Sequence, residues 1–260
     1  MILAIDCGNT NTVFAVFGDA GERRGDWRSA TDPDRTADEF GLWLMQLMRL
    51  AGIEPAEVGG AIIANVVPTA LFGLKTLCRK YFNCDPMVVG EAGVELGVKN
   101  LVDHPEEVGA DRLVNAVAAR ETYRGPVIVV DFGTATTFDV IDGDGNYRGG
   151  VIAPGVNLSA EALHMAAAKL PRVAIARPDH VIGTGTVTAM KSGLYWGYVA
   201  MIEGLVERIK KEFGADMKVI ATGGLAPLFT DATACIEGAD LDLTLRGLYA
   251  VYRLNAKKER

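Results

Sequence analysis

Apolar and polar positions follow one pattern twice along this chain. Residues 2–25 read ILAIDCGNTNTVFAVFGDAGERRG and residues 127–150 read VIVVDFGTATTFDVIDGDGNYRGG. Each copy is an apolar run ending in Asp, a polar turn around Gly, a second apolar run and a Gly-Asp turn. Laid without gaps, Asp6 falls on Asp131, Gly8 on Gly133, Thr12 on Thr137 and Gly18-Asp19 on Gly143-Asp144, followed by Arg23 on Arg148 and Gly25 on Gly150. This predicts a strand, a tight polar hairpin and a second strand, made twice.

Between and after the copies the period changes. Thr36-Ala-Asp-Glu39 has the spacing of a capping box, and Phe40, Trp43, Leu44, Leu47, Met48 and Ala51 then recur on one helical face up to Gly52. Ala61-Ile-Ile-Ala64 is a continuous apolar run, as expected of a buried strand, followed by a helix near 70–82 and a short strand at 87–89. Gly109-Ala-Asp-Arg112 opens a helix that stops before Gly125-Pro126, where the second copy begins. The second half then predicts helices near 159–169 and 186–213, the latter closed by Gly214, a strand at 219–221 leading into Thr222-Gly223-Gly224, and a last helix near 245–256. Strands alternating with helices indicate an α/β fold with a largely parallel sheet and hairpin edges. The repeat places the division near 120–126, giving lobes 1–122 and 123–260.

Composition narrows the class. The chain has 260 residues, 49% hydrophobic and 23% charged, enough for a full core in two modest domains. The net charge is −7 and Lys and Arg are scattered, so nucleic acid is not expected as a partner. The one basic run, Lys257-Lys-Glu-Arg260, reads as a solvated tail. The chain enters a strand at once and has no long uncharged apolar stretch, so neither a leader nor a membrane span is expected. Cys7, Cys78, Cys84 and Cys235 lack CxxC spacing and read as reduced thiols of a cytoplasmic protein, and His104, His164 and His180 read as isolated.

Several motifs fall away on inspection. Asp131-Phe-Gly133 spells a protein-kinase metal triplet, but no HRD loop precedes it. No GxxxxGK[ST] occurs, and Gly183-Thr-Gly185 lacks the third glycine of a dinucleotide fingerprint. What remains is the paired Asp-X-Gly hairpin and Gly109–Arg112. A hairpin that offers backbone N–H groups, hydroxyls and a carboxylate suits polyphosphate and a metal ion, and two copies suit a two-lobed phosphotransferase. Asp111, at a helix start beside Arg112, reads either as a capping residue or as a carboxylate that takes a proton from a substrate hydroxyl.

With these residues assembled, the chain resembles the type III pantothenate kinases, members of the superfamily of acetate and sugar kinases, Hsc70 and actin. The resemblance rests on Asp6-Cys-Gly-Asn-Thr10, Gly109-Ala-Asp-Arg112 with Leu-Val-Asn-Ala-Val-Ala-Ala after it, and Asp131-Phe-Gly-Thr-Ala-Thr-Thr-Phe-Asp139. It extends through Gly149-Gly-Val-Ile-Ala-Pro-Gly155, Ala189-Met-Lys-Ser-Gly193 and Ala221-Thr-Gly-Gly224. It implies two RNase H-like (actin-like ATPase) lobes with mixed sheets, a homodimer, and transfer of the ATP γ-phosphate to pantothenate, the first step of coenzyme A synthesis. It implies that Asp6, Cys7, Gly8, Asn9, Thr10, Asn11, Thr12 and Val13 hold the ATP phosphates, with Asp6 helping to place Mg2+ and Thr134 also on ATP. Gly223 and Gly224 would lie near the adenosine. Asp131 would bind a monovalent cation, K+ or NH4+. Gly109, Ala110, Asp111 and Arg112 would hold pantothenate, with Asp111 as proton acceptor and Thr186 as a contact from the second lobe, unless Thr186 is simply the cap of its helix. Many relatives carry Tyr seven residues before the Gly of that segment, where this chain has Val102. Gly193 and Gly197 on the long helix suit either a dimer contact or close packing within the chain. Two alternatives keep the fold: a non-catalytic accessory factor for transcription, and a kinase for another small hydroxyl compound.

Overall fold

The computed structural model describes residues 1–167 and 169–256. The Lys257–Arg260 run lies outside the described residues. The described chain divides into two compact units, Met1–Thr122 with Asp242–Arg260 and Tyr123–Leu241.

In the first unit, β1 (Ile2–Cys7) and β2 (Asn11–Phe17) form the first predicted hairpin, continued by β3 (Arg23–Ala30). Then come α1 (Ala37–Leu50), β4 (Gly60–Asn65), α2 (Leu71–Phe82), β5 (Pro86–Val88) and α3 (Ala110–Thr122). The sheet runs β3-β2-β1-β4-β5. The hairpin pairs are antiparallel, with Asp6 opposite Val13, while β1–β4 and β4–β5 are parallel, with Asp6 opposite Ala64. The sheet is therefore mixed in equal parts rather than largely parallel. The capping box forms as its spacing requires: Glu39 N–H donates to Thr36 Oγ1, and Thr36 N–H donates to Glu39 Oε2 at 2.8 Å. One sheet face packs Leu3, Ile5, Phe14 and Val16 against Phe40, Leu44, Met48, Leu74 and Leu77 of α1 and α2. The other packs Ala4, Ala15, Ile62 and Ala64 against Val114 and Val117 of α3.

The second unit repeats this plan. β6 (Val127–Phe132), β7 (Ala135–Ile141) and β8 (Tyr147–Pro154) form the second meander, followed by α4 (Val156–Ala166), α5 (Thr186–Phe213), β9 (Lys218–Gly223), α6 (Ala226–Thr230) and β10 (Gly238–Ala239). Its sheet order is β10-β9-β6-β7-β8, with Asp131 opposite Thr137 and, in parallel, Thr222. Ile128, Val130, Phe132 and Phe138 bury against Tyr195, Tyr198, Val199 and Ile202 of α5 and against Phe229. α5 has the predicted bounds, and Gly214 ends it at φ 78°. α4 starts earlier than the periodicity suggested, because Gly155 in extended conformation takes the cap position, and its expected end runs onto residue 168, outside the described residues.

The last helix, α7 (Leu243–Ala256), departs from the division at 122/123, which would leave it with the second lobe. It packs into the first unit, with Leu245, Leu248 and Val251 in the core beside Val114 and Ile62. Gly247 permits this: a methyl there would strike the Val114 carbonyl and lie 2.7 Å from Val114 Cγ1. Asn255 fastens the far end, accepting from Glu95 N–H and donating to Glu95 O, each at 2.9 Å. Among the described residues no helix is long and apolar enough to cross a membrane.

Candidate active site

In the first unit the candidate residues gather at the carboxyl ends of β1 and β4, the edge at which α/β sheets bind ligands. β1 delivers Asp6 and Cys7 there, and the turn is closed by Gly8 N–H donating to Asn11 O at 3.0 Å. Asn9, Thr10 and Asn11 are exposed at its tip, whereas Thr12 is buried. Val66, just past β4, donates its N–H to Cys7 O at 3.0 Å. Gly109 comes against the same residue: a methyl there would lie 3.5 Å from Val66 Cγ1 and 2.5 Å from Asp111 Oδ1. The glycine makes room for the Asp111 carboxylate beside the strand end. One sheet edge thus holds the first hairpin and the Gly109–Arg112 segment together.

Asp111 sits in the first turn of α3, so it is not the cap of that helix. Its Oδ1 accepts the N–H of Arg112 at 2.8 Å. Burial pushes its carboxyl above the ordinary carboxylate range, opposed by that bond and by the Arg112 charge. A half-buried carboxylate with raised proton affinity is suited to accept a proton from a hydroxyl. Cys7 behaves differently. Burial raises its thiol, and the adjacent Asp6 adds to that, against hydrogen bonds from Thr12 and Thr31, so it stays a protonated packing group.

In the second unit the carboxyl ends of β6 and β9 bring Asp131 beside Thr222 and Phe132 beside Gly223. Gly223 has φ 89°, and a methyl there would lie 2.6 Å from Asp131 Oδ1 and 2.7 Å from Phe132 O. The missing side chain leaves a carboxylate and a carbonyl oxygen facing one small space, a donor set that fits a hard cation. Thr134 is exposed at the hairpin tip, and its carbonyl accepts from Gly155 N–H at 3.1 Å. Gly224 follows directly, with open space where a side chain would stand. Thr186 is exposed at the start of α5. Gly185 holds the cap position, exchanging bonds with Thr188 Oγ1 rather than with Thr186. Val102 is half-buried in the segment before Gly109.

Some features were not read from the sequence. Asp139 is fully buried, accepting from the hydroxyls of Thr137 at 3.1 Å and Tyr147 at 3.0 Å. The register that sets Thr137 opposite Asp131 puts this network on the Asp131 face of the sheet. Thr31, past β3, bonds to the first hairpin. Nothing local in the sequence marks either contact. His104 is not isolated: its Nδ1 lies 3.6 Å from Glu106 Oε1, with Glu107 close by, all three exposed. Among the described residues, a methyl at Gly193 or Gly197 would meet nothing within 4 Å.

Two five-stranded mixed sheets, each built from an Asp-bearing hairpin and two parallel strands, define the actin-like ATPase and sugar-kinase fold. A solved structure from Campylobacter jejuni, described as a Baf family transcriptional activator, matches with a TM-score of 0.62 at 18% identity, covering 98% of this chain and 99% of that one. A Sinorhizobium meliloti structure described as a 2-dehydro-3-deoxygalactonokinase matches with a TM-score of 0.58 at 15% identity, over 99% and 96%. At such identities the likeness is one of fold. The family model for type III pantothenate kinase matches residues 2–208. A type III pantothenate kinase of Paramagnetospirillum magneticum is 65% identical over 260 residues, all of both chains. The chain belongs to the type III pantothenate kinase family.

Proposed function

We propose that the chain performs the reaction its family is named for, phosphorylating pantothenate at the expense of ATP in coenzyme A synthesis. Family membership supports the reaction. The observation that carries the site assignment is the Asp111 carboxylate, raised in proton affinity and held at the sheet edge that bears the first hairpin.

In this reading the hairpin from Asp6 to Val13 receives the ATP phosphates, its tip amides and hydroxyls facing the anion and Asp6 placing the Mg2+ of Mg-ATP. Thr134 contacts ATP from the second hairpin, and Gly223 and Gly224 leave room for the adenosine. Gly109, Ala110, Asp111, Arg112 and Thr186 hold pantothenate. The terminal hydroxyl oxygen of pantothenate forms a bond to the γ-phosphorus, the bond from that phosphorus to the β,γ-bridging oxygen breaks, and ADP leaves. Asp111 receives the hydroxyl proton. Because the transition state is loose, orienting the hydroxyl in line is most of its task. Asp131 and the carbonyl of Phe132 would hold K+ or NH4+ in the second unit. A cytoplasmic homodimer completes the reading, with the open glycines Gly193 and Gly197 on the face of α5 that meets the second copy.

The test is ADP release from Mg-ATP with pantothenate, with and without K+, beside a panel of other small hydroxyl acceptors. Potassium-dependent turnover confined to pantothenate is expected. Turnover with a different acceptor alone, or with none, overturns the assignment.

A further inference from the structure

Thr31 lies past β3, outside the repeated segment that marks the hairpin. Its hydroxyl nevertheless meets Gly8 O at 2.6 Å and Thr12 Oγ1 at 2.9 Å, and its N–H donates to Thr10 O at 3.0 Å. Thr12 Oγ1 in turn donates to Cys7 Sγ at 3.4 Å. A carbonyl only accepts, so the Thr31 hydroxyl proton goes to Gly8 O.

The second hairpin treats the matching carbonyl differently. Gly133 is the counterpart of Gly8, and the chain leaving β8 brings Gly155 against it, so that a methyl on Gly155 would lie 2.8 Å from Gly133 O. Backbone fills that place in one copy and a threonine side chain fills it in the other.

We infer that Thr31 is a positioning residue for nucleotide binding: it holds the Gly8–Asn9 peptide with its carbonyl inward, so that the Asn9 N–H is presented outward to a polyphosphate. The peptide is planar and trans, so fixing the Gly8 C=O turns the following N–H to the opposite side. The backbone N–H of the same residue also holds the Thr10 carbonyl, and the exposed tip between them is held at both ends. Pre-set donors spare the ligand the cost of ordering them. This inference rests on the proposed role of the hairpin as the ATP phosphate site.

Steady-state kinetics of Thr31→Val, with ATP and pantothenate varied separately, test it. Loss of one net hydrogen bond corresponds to a rise in KM for ATP of roughly five- to tenfold. The KM for pantothenate should stay within about twofold, and Thr31→Ser should restore the ATP value. Should Thr31→Val fail to fold, Thr31→Ala leaves room for water and gives the same comparison. An unchanged KM for ATP overturns the inference, as does an equal rise in both KM values that Ser does not rescue. A wild-type protein that neither turns over nor binds ATP overturns the proposed function, and this inference with it.

Discussion

Replacing Asp111 by Asn is expected to lower turnover and raise thermal stability together. The amide keeps an oxygen that accepts the Arg112 N–H, so the local geometry survives. What disappears is a negative charge whose largest environmental influence is loss of water, with the Arg112 bond and charge opposing it. Removing a poorly hydrated charge is worth on the order of 1 kcal/mol in protein mutational data, which moves Tm by roughly 2–4 °C in a chain of this size. Removing a general base costs about 10²- to 10⁴-fold in kcat, or ~3–5 kcal/mol of transition-state stabilisation. The pH dependence has a definite sign. The folded-state pKa of Asp111 is raised, so its carboxylate opposes folding at neutral pH, and this penalty fades as pH falls through the raised value, where the native group takes up its proton before the unfolded chain does. Wild-type and variant Tm should therefore differ most near neutrality and converge on acidification. Calorimetry across pH beside ADP-release kinetics reads both effects. A variant less stable than wild type at neutral pH, or a Tm difference that widens in acid, refutes the account of the site; turnover that survives removes Asp111 as the base.

The paired oxygens beside Gly223 make a second case. In Gly223→Ala the methyl would press on Asp131 Oδ1 and Phe132 O while the backbone stays at φ 89°, so the K+ concentration for half-activation should rise about tenfold or more; an unchanged K+ response would remove Asp131 from the cation site. In Gly247→Ala the methyl would meet the α3 backbone at Val114, at a cost of about 1–3 kcal/mol and a fall in Tm of several degrees. An unaltered calorimetric Tm would mean that α7 is not seated in the first unit as described.

The meanders were legible because their determinants are local. Alternating apolar residues, Gly-centred turns and an Asp at the strand end specify a hairpin within a dozen positions, and the repeat of that string announced two sheets. The capping box at Thr36 and Glu39 and the full extent of α5 up to Gly214 were equally open to reading, because a cap and a terminating glycine act over one helical turn. The α7 helix was legible as an element, but its place in the first unit was not, for the opposite reason. Its apolar stripe says that it must bury a face, but the partner, Val114 with Ile62 and Ala4, lies more than a hundred residues away, and nothing in the stripe names it.

The site divides along the same line. Sequence pattern singled out Asp6, Asp111 and Asp131 as the carboxylates to watch, since each stands near an element boundary two residues from a glycine. Chain folding set their surroundings. Burial raises the proton affinity of Asp111, the close approach of Gly223 turns a carbonyl and the Asp131 carboxylate onto one space, and a hydroxyl from beyond the third strand sets the peptide behind Asn9. Local strings encode turns and caps because those bonds close within a few residues. Desolvation, steric clearance and long-range hydrogen bonds depend on which distant atoms fill the adjoining space, and that arises only when the sheets are packed.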